Sequence, residues 1–113
     1  MSDLIDLNHL QLYVGDDVSL RDEILSIFED QLALWMGRLS PDMDDDTWYQ
    51  AAHTLKGAAR GVGVWAIGDL CEKAEALMGP DAEPARADLL GQLGPLADRV
   101  TAALKDVATD AAA

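Results

Sequence analysis

His53, Lys56 and Gly57 stand three and four positions apart in the run His53-Thr54-Leu55-Lys56-Gly57. On a helix, positions i, i+3 and i+4 share one surface. A neutral imidazole has a free lone pair near neutral pH, because its unperturbed pKa is about 6.5. It can attack phosphorus and hold the group as a phosphoramidate. The product gains about two negative charges, which a cation one turn away stabilises. Lys56 is placed for that role, and Arg60 lies two turns along, close to the same line. Gly57 costs a helix about 1 kcal/mol relative to alanine. A bare position there lets a partner's active site descend on the imidazole; on a buried face it would instead admit a close helix crossing. Its place away from the apolar stripe favours access.

Glu75 is a fourth candidate, at the edge of an apolar stripe beside Cys71 and Met78. A boundary carboxylate there could accept from Nδ1–H of the imidazole and leave Nε2 as the nucleophile. It fits equally well as a solvated surface acid. Cys71 reads as a small core residue, His9 as a partly exposed side chain on the first helix, and the tryptophans as packing groups, with Trp65 partly exposed.

The elements that must position these residues are helical. The chain has 113 residues, enough for one domain that buries roughly two thirds of its unfolded surface. No stretch has a period of two. A short apolar helix over 7–14 (about 4–14 at its widest) is broken by Gly15-Asp16-Asp17. Asp17 or Ser19 can cap a second helix running to about Leu39, with a core stripe of Leu20, Ile24, Ile27, Phe28, Gln31, Leu34 and Trp35, widened by Leu25, Leu32 and Leu39. A third helix runs from Asp45–Thr47 to about Val62 and buries Trp48, Ala51, Ala52, Leu55, Ala58, Ala59 and Val62. At 100° per residue Tyr49, His53, Lys56, Gly57 and Arg60 face the other way. Gly61 and Gly63 suit a stop and a tight reversal. A fourth helix over about 64–78 buries Val64, Ile67, Leu70, Cys71, Ala74, Leu77 and Met78, and Gly79-Pro80 ends it. Pro84 fits the first turn of a last helix carrying Leu89, Leu93, Leu96, Val100, Ala103, Leu104 and Val107, in which Gly94-Pro95 predicts a kink or a break. Residues 109–113 form a frayed tail. Short links between amphipathic helices give an all-α, antiparallel up-down four-helix bundle over about 18–108 with an additional N-terminal helix.

The formal net charge of −13 argues against nucleic acid and anionic membrane as partners. Residues 47–68 hold no Asp or Glu, yet contain His53, Lys56 and Arg60, while Asp42, Asp44, Asp45 and Asp46 crowd one flank. One cysteine permits no internal disulfide, and two histidines with it are too few for a structural zinc site. Met1-Ser2-Asp3 lacks the basic start of a leader, and no apolar run approaches the ~18 residues of a membrane span. A cytoplasmic monomer is the expectation. Asp42-x-Asp44-x-Asp46 fails as a calcium loop, which needs Gly at 47 and Glu at 53 where Thr47 and His53 stand. Gly61-x-Gly63-x-x-Ala66 fails as a dinucleotide fingerprint, since a helix precedes it.

The run HTLKGAARGVG, with Leu70-Cys71 and Glu75 following and Trp48 and Ala51-Ala52 preceding, resembles the histidine-containing phosphotransfer (HPt) domain of multistep phosphorelays. The likeness is specific over residues 48–75. It implies that His53 takes a phosphoryl group on Nε2 from a receiver-domain aspartate and passes it to another, in two-component signalling. It implies that Lys56 supports the phosphate, that Gly57 leaves room for the receiver, and that Glu75 occupies a position often bonded to the imidazole. The chain would then be a phosphocarrier without turnover of its own. It would need no cofactor, the divalent metal residing on the partner receiver, and its partners would be response-regulator receivers or a hybrid histidine kinase. Ala58-Ala59 replaces a common serine, and the Gly-Pro pair in the last helix departs from the pattern. Two rival readings are a helical adaptor that binds a receiver or kinase without taking phosphate, and a domain phosphorylated directly by a kinase using ATP.

Overall fold

Aspartates open three of the helices. In the computed structural model, which describes residues 4–112, Asp6 accepts from the backbone N–H of His9, Asp17 from Leu20 and Asp44 from Thr47. Each satisfies a donor that the helix itself leaves unpaired. The Thr47 bonds hold the Asp44 carboxyl below its ordinary value, backbone N–H first. The elements are α1 (Leu7–Val14), α2 (Val18–Arg38), α3 (Asp45–Gly61), α4 (Trp65–Glu75) and α5 (Glu83–Ala112), with no strand among the described residues. α2 packs on α3 and α5, α4 packs on α3 and α5, and α1 leans on α2. This is the expected four-helix bundle with a short leading helix, 50 × 22 × 20 Å in extent. Met1-Ser2-Asp3 and Ala113 lie outside the described residues.

Gly63 joins α1 to the bundle. Its φ of 82° is open to glycine and strained for other residues, and a Cβ there would stand 2.7 Å from the carbonyl oxygen of Asp6. The amide of Asp6 donates to the carbonyl of Gly63 at 2.8 Å, and the Asp6 carboxylate accepts from Trp65 Nε1 at 3.0 Å. The α3–α4 reversal is thus also the seat of α1. The ring of His9 packs edge-on against Tyr13 and Trp65.

The predicted core faces of α3 and α5 are the observed ones. Trp48, Ala51, Ala52, Leu55, Ala59 and Val62 are buried, as are Leu89, Leu93, Val100, Ala103 and Leu104. On α2 the stripe is different. Leu25, Phe28 and Leu32 are buried, while Leu20, Ile27 and Leu34 are 38%, 53% and 46% exposed. The helix carries two apolar arcs, and α3 and α5 cover the one centred on Phe28. Two other boundaries move. α4 stops at Glu75, three residues earlier than predicted, and Met78 is exposed. α5 runs unbroken across Gly94-Pro95 to Ala112, through most of the expected frayed tail. A single missing N–H in a 30-residue helix packed against two neighbours does not break it.

Arg86 explains the early end of α4. It is 3% exposed, yet charged. Its guanidinium donates to the carbonyls of Leu77 and Met43 and to Asp45 Oδ1, and lies 4.7 Å over the Trp48 ring. Asp45 also accepts from the amide of Gly79. The α4–α5 connection is thereby drawn onto the start of α3 instead of continuing α4.

Candidate functional site

α3 holds His53 by its opposite face. Trp48 and Leu55 are fully buried, and the alanines at 51, 52 and 59 let the helix approach its neighbours closely. The indole Nε1–H of Trp48 donates to the carbonyl of Ala74 across α3 and α4 at 2.8 Å. That bond fixes the last turn of α4, and the next residue is Glu75.

Glu75 joins two candidate residues of α3. Its Oε2 is 2.9 Å from Nδ1 of His53 and its Oε1 is 2.5 Å from Nζ of Lys56. Of the two roles open to Glu75, the structure therefore gives it the imidazole. An ionised carboxylate only accepts, so in the neutral ring Nδ1 carries the proton and Nε2 the lone pair. The Lys56 bond first, and the His53 bond after it, hold the Glu75 carboxyl below its ordinary value against the opposing effect of burial. The side chain of His53 is 55% exposed, against 11% for Glu75 and 19% for Lys56. The imidazole is thus open while Glu75 and Lys56 beside it are sheltered.

The surroundings of the ring are unequal. Tyr49, one turn earlier, lies parallel to the imidazole, with centroids 5.6 Å apart and planes 12° apart. One turn later, a Cβ on Gly57 would meet nothing within 4 Å. Gly57 is thus a bare, outward position and not a helix-crossing contact. Tyr49 stands on the predicted outward arc, but nothing in spacing alone tells a stacked ring from a solvated one.

Arg60 departs from the expected arrangement. Its Nη2 is 3.1 Å from Glu72 Oε2 and 3.5 Å from Asp69 Oδ1, both on α4. Its stem crosses Gly68, where a Cβ would come within 2.7 Å of Arg60 Cγ. The guanidinium is directed at α4 carboxylates, and Lys56 is the cation bonded into the imidazole cluster. Cys71 is buried, and burial first, then the nearby Glu75 charge, pushes its thiol up to about 12, so it stays protonated. Among the described residues no helix is long and apolar enough to cross a membrane.

The pattern of the Hpt domain matches residues 20–110. A search of curated proteins finds no match. Among solved structures, the chain is similar to histidine phosphotransferase ShpA from Caulobacter crescentus, with 35% identity over 96% of this chain and 90% of that one, at a TM-score of 0.67. The matched span covers α2 to α5 almost entirely and includes His53, Lys56, Gly57 and Glu75. Sequence pattern and fold agree, and the chain belongs to the Hpt domain family, whose members carry phosphoryl groups in two-component signalling.

Proposed function

We propose that this chain relays a phosphoryl group between receiver-domain aspartates through Nε2 of His53. The observation that carries the reading is the Glu75–His53 bond at 2.9 Å beneath a half-exposed ring. It commits Nδ1 to the carboxylate and leaves Nε2 as the free lone pair. In the forward step that lone pair forms the N–P bond as the P–O bond to the receiver's aspartate breaks, and the carboxylate leaves with the electron pair. The ring, still bearing Nδ1–H, becomes positively charged, and Glu75 offsets that charge. Transfer to a second aspartate breaks the N–P bond and restores the neutral ring. Lys56 faces the gained phosphoryl charge. The divalent metal and the acidic pocket belong to the receiver.

The docking floor would be the small outward residues of α3. Thr54, Gly57 and Gly61 are exposed, and a Cβ on either glycine would meet open space. α2 packs on α3. Asp22, Leu25, Ser26 and Glu29 of α2 line a groove with Leu104, Lys105 and Ala108 of α5, so the exposed Leu20, Ile27 and Leu34, about half a turn around the helix, look away from α5. In this reading they would add an apolar edge to the docking surface, with Lys56 at the rim near the imidazole.

Incubation with a phosphorylated receiver tests the reading. Acid-labile label that is lost in His53→Gln is the expected result. Binding of the receiver without label would favour the adaptor role. Label that arrives only from a kinase with ATP would favour direct phosphorylation.

A further inference from the structure

We propose that Tyr49 is a positioning residue for phosphoryl transfer: its ring, stacked on the imidazole of His53, sets the ring plane so that Nε2 points out of the bundle. The inference rests on the phosphotransfer reading and concerns how the nucleophile is aimed.

A histidine ring is poorly held by its own torsions, since the torsion about Cβ–Cγ has a broad, roughly two-fold profile. The Glu75 bond fixes where Nδ1 lies, but a single hydrogen bond leaves the ring free to rock about it. The lone pair of Nε2 lies in the ring plane. A rocking ring therefore swings the line along which phosphorus must approach, and in-line transfer is sensitive to such misplacement. Something has to fix the plane.

Tyr49 is the group placed to do so. Helical side chains lean toward the N-terminus, so His53 falls toward the residue one turn earlier. There the Tyr49 ring lies nearly parallel, 12° away in plane and 5.6 Å between centroids, which is an offset stack. On the side one turn later, Gly57 offers no side chain. The imidazole is thus braced by Tyr49 and at its Nδ1 edge by Glu75, and is open toward Gly57. Tyr49 is only partly buried and stands outside the apolar core, so core packing does not account for its place.

The test compares wild type, Tyr49→Phe and Tyr49→Leu in transfer from a phosphorylated receiver over a range of receiver concentrations. A second readout is the NMR position of the His53 Cδ2–H and Cε1–H protons, which a stacked aromatic ring displaces. Tyr49→Phe should keep the saturating rate and the ring displacement. Tyr49→Leu should lose the displacement and about fivefold of the saturating rate, the factor an aromatic pair of this kind carries, with the half-saturating concentration unchanged. A full saturating rate in Tyr49→Leu overturns the inference. So does a loss confined to the half-saturating concentration, which would mark a receiver contact, or a Phe variant as slow as the Leu variant. Failure of the underlying reading looks different: the wild-type chain then takes no label at all, and this inference falls with it.

Discussion

The indole of Trp48 and the carbonyl of Ala74 are bonded at 2.8 Å in the interior, one residue before Glu75. The relationship sets the register of α3 against α4 and hence the height at which the Glu75 carboxylate meets His53. Trp48→Phe keeps an aromatic core group but removes the donor and some volume. It should cost about 2 kcal/mol in denaturant unfolding. It should also slow transfer at His53 several-fold, because Glu75 is no longer fixed in height. Unfolding curves and receiver-transfer rates on the same variant check both.

Gly57 separates stability from function. It lies on an exposed helical surface with open space where a Cβ would go. Gly57→Gln should therefore stabilise the fold by up to about 1 kcal/mol, the helix cost of glycine. The same substitution should slow transfer from a receiver, since its side chain occupies the approach. A variant with higher Tm and a lower transfer rate is the expected outcome. Unchanged transfer in Gly57→Gln and Gly57→Arg would defeat the access role.

The Glu75 carboxyl is depressed from its ordinary value of 4.5, chiefly by the Lys56 bond and then by His53. A depressed carboxyl contributes stability above its unfolded pKa, and that contribution is lost as pH falls through the lower folded value. Lys56→Met removes the main cause. In a carboxyl-resolved NMR titration the Glu75 midpoint should move up toward 4.5 in this variant. The acid limb of stability that Glu75 supplies should shrink with it. The phosphorylated form of Lys56→Met should also decay faster. Added salt should mimic part of that loss in wild type, but only part, because the Lys56 side chain is 19% exposed.

Arg86 holds three segments together and lies over the Trp48 ring, while His53, Lys56 and Glu75 are not among its bonded partners. Removing it leaves the carbonyls of Leu77 and Met43 and the Asp45 carboxylate short of a partner. Arg86→Met should cost about 3 kcal/mol and lower Tm by roughly 10–20 °C. Phosphotransfer below the new Tm should stay within about twofold of wild type, because Arg86→Met leaves the Trp48 bond to Ala74 in place. Thermal unfolding followed by circular dichroism, with transfer assayed at low temperature, checks the pair of expectations.

How far the sequence could be read depended on whether one helix or two decided the outcome. The outward arc of α3 followed from spacing, because Trp48, Ala52, Leu55 and Ala59 leave only one face for the core. The face of α2 did not, since Leu25-Phe28-Leu32 and Leu20-Ile27-Leu34 are equally apolar and only the positions of α3 and α5 choose between them. Read from its own helix, Arg60 belongs with the phosphate. Its actual partners, Glu72 and Asp69, are reached because position 68 on the next helix is glycine. Arg86 carries a signal in the sequence. It falls in register with Ala82, Leu89 and Leu93, so a charge stood at a core position of α5. The stack of Tyr49 on His53 is a rotamer choice that spacing allows and does not dictate.

The atom that bears the phosphoryl group is the most direct test of the central claim. His53 labelled from a phosphorylated receiver should show, in 1H–15N correlation of the ring, phosphorus on Nε2 and a retained proton on Nδ1. Phosphorus on Nδ1, or label on a residue other than His53, would contradict the role given to Glu75 and to the open face of α3.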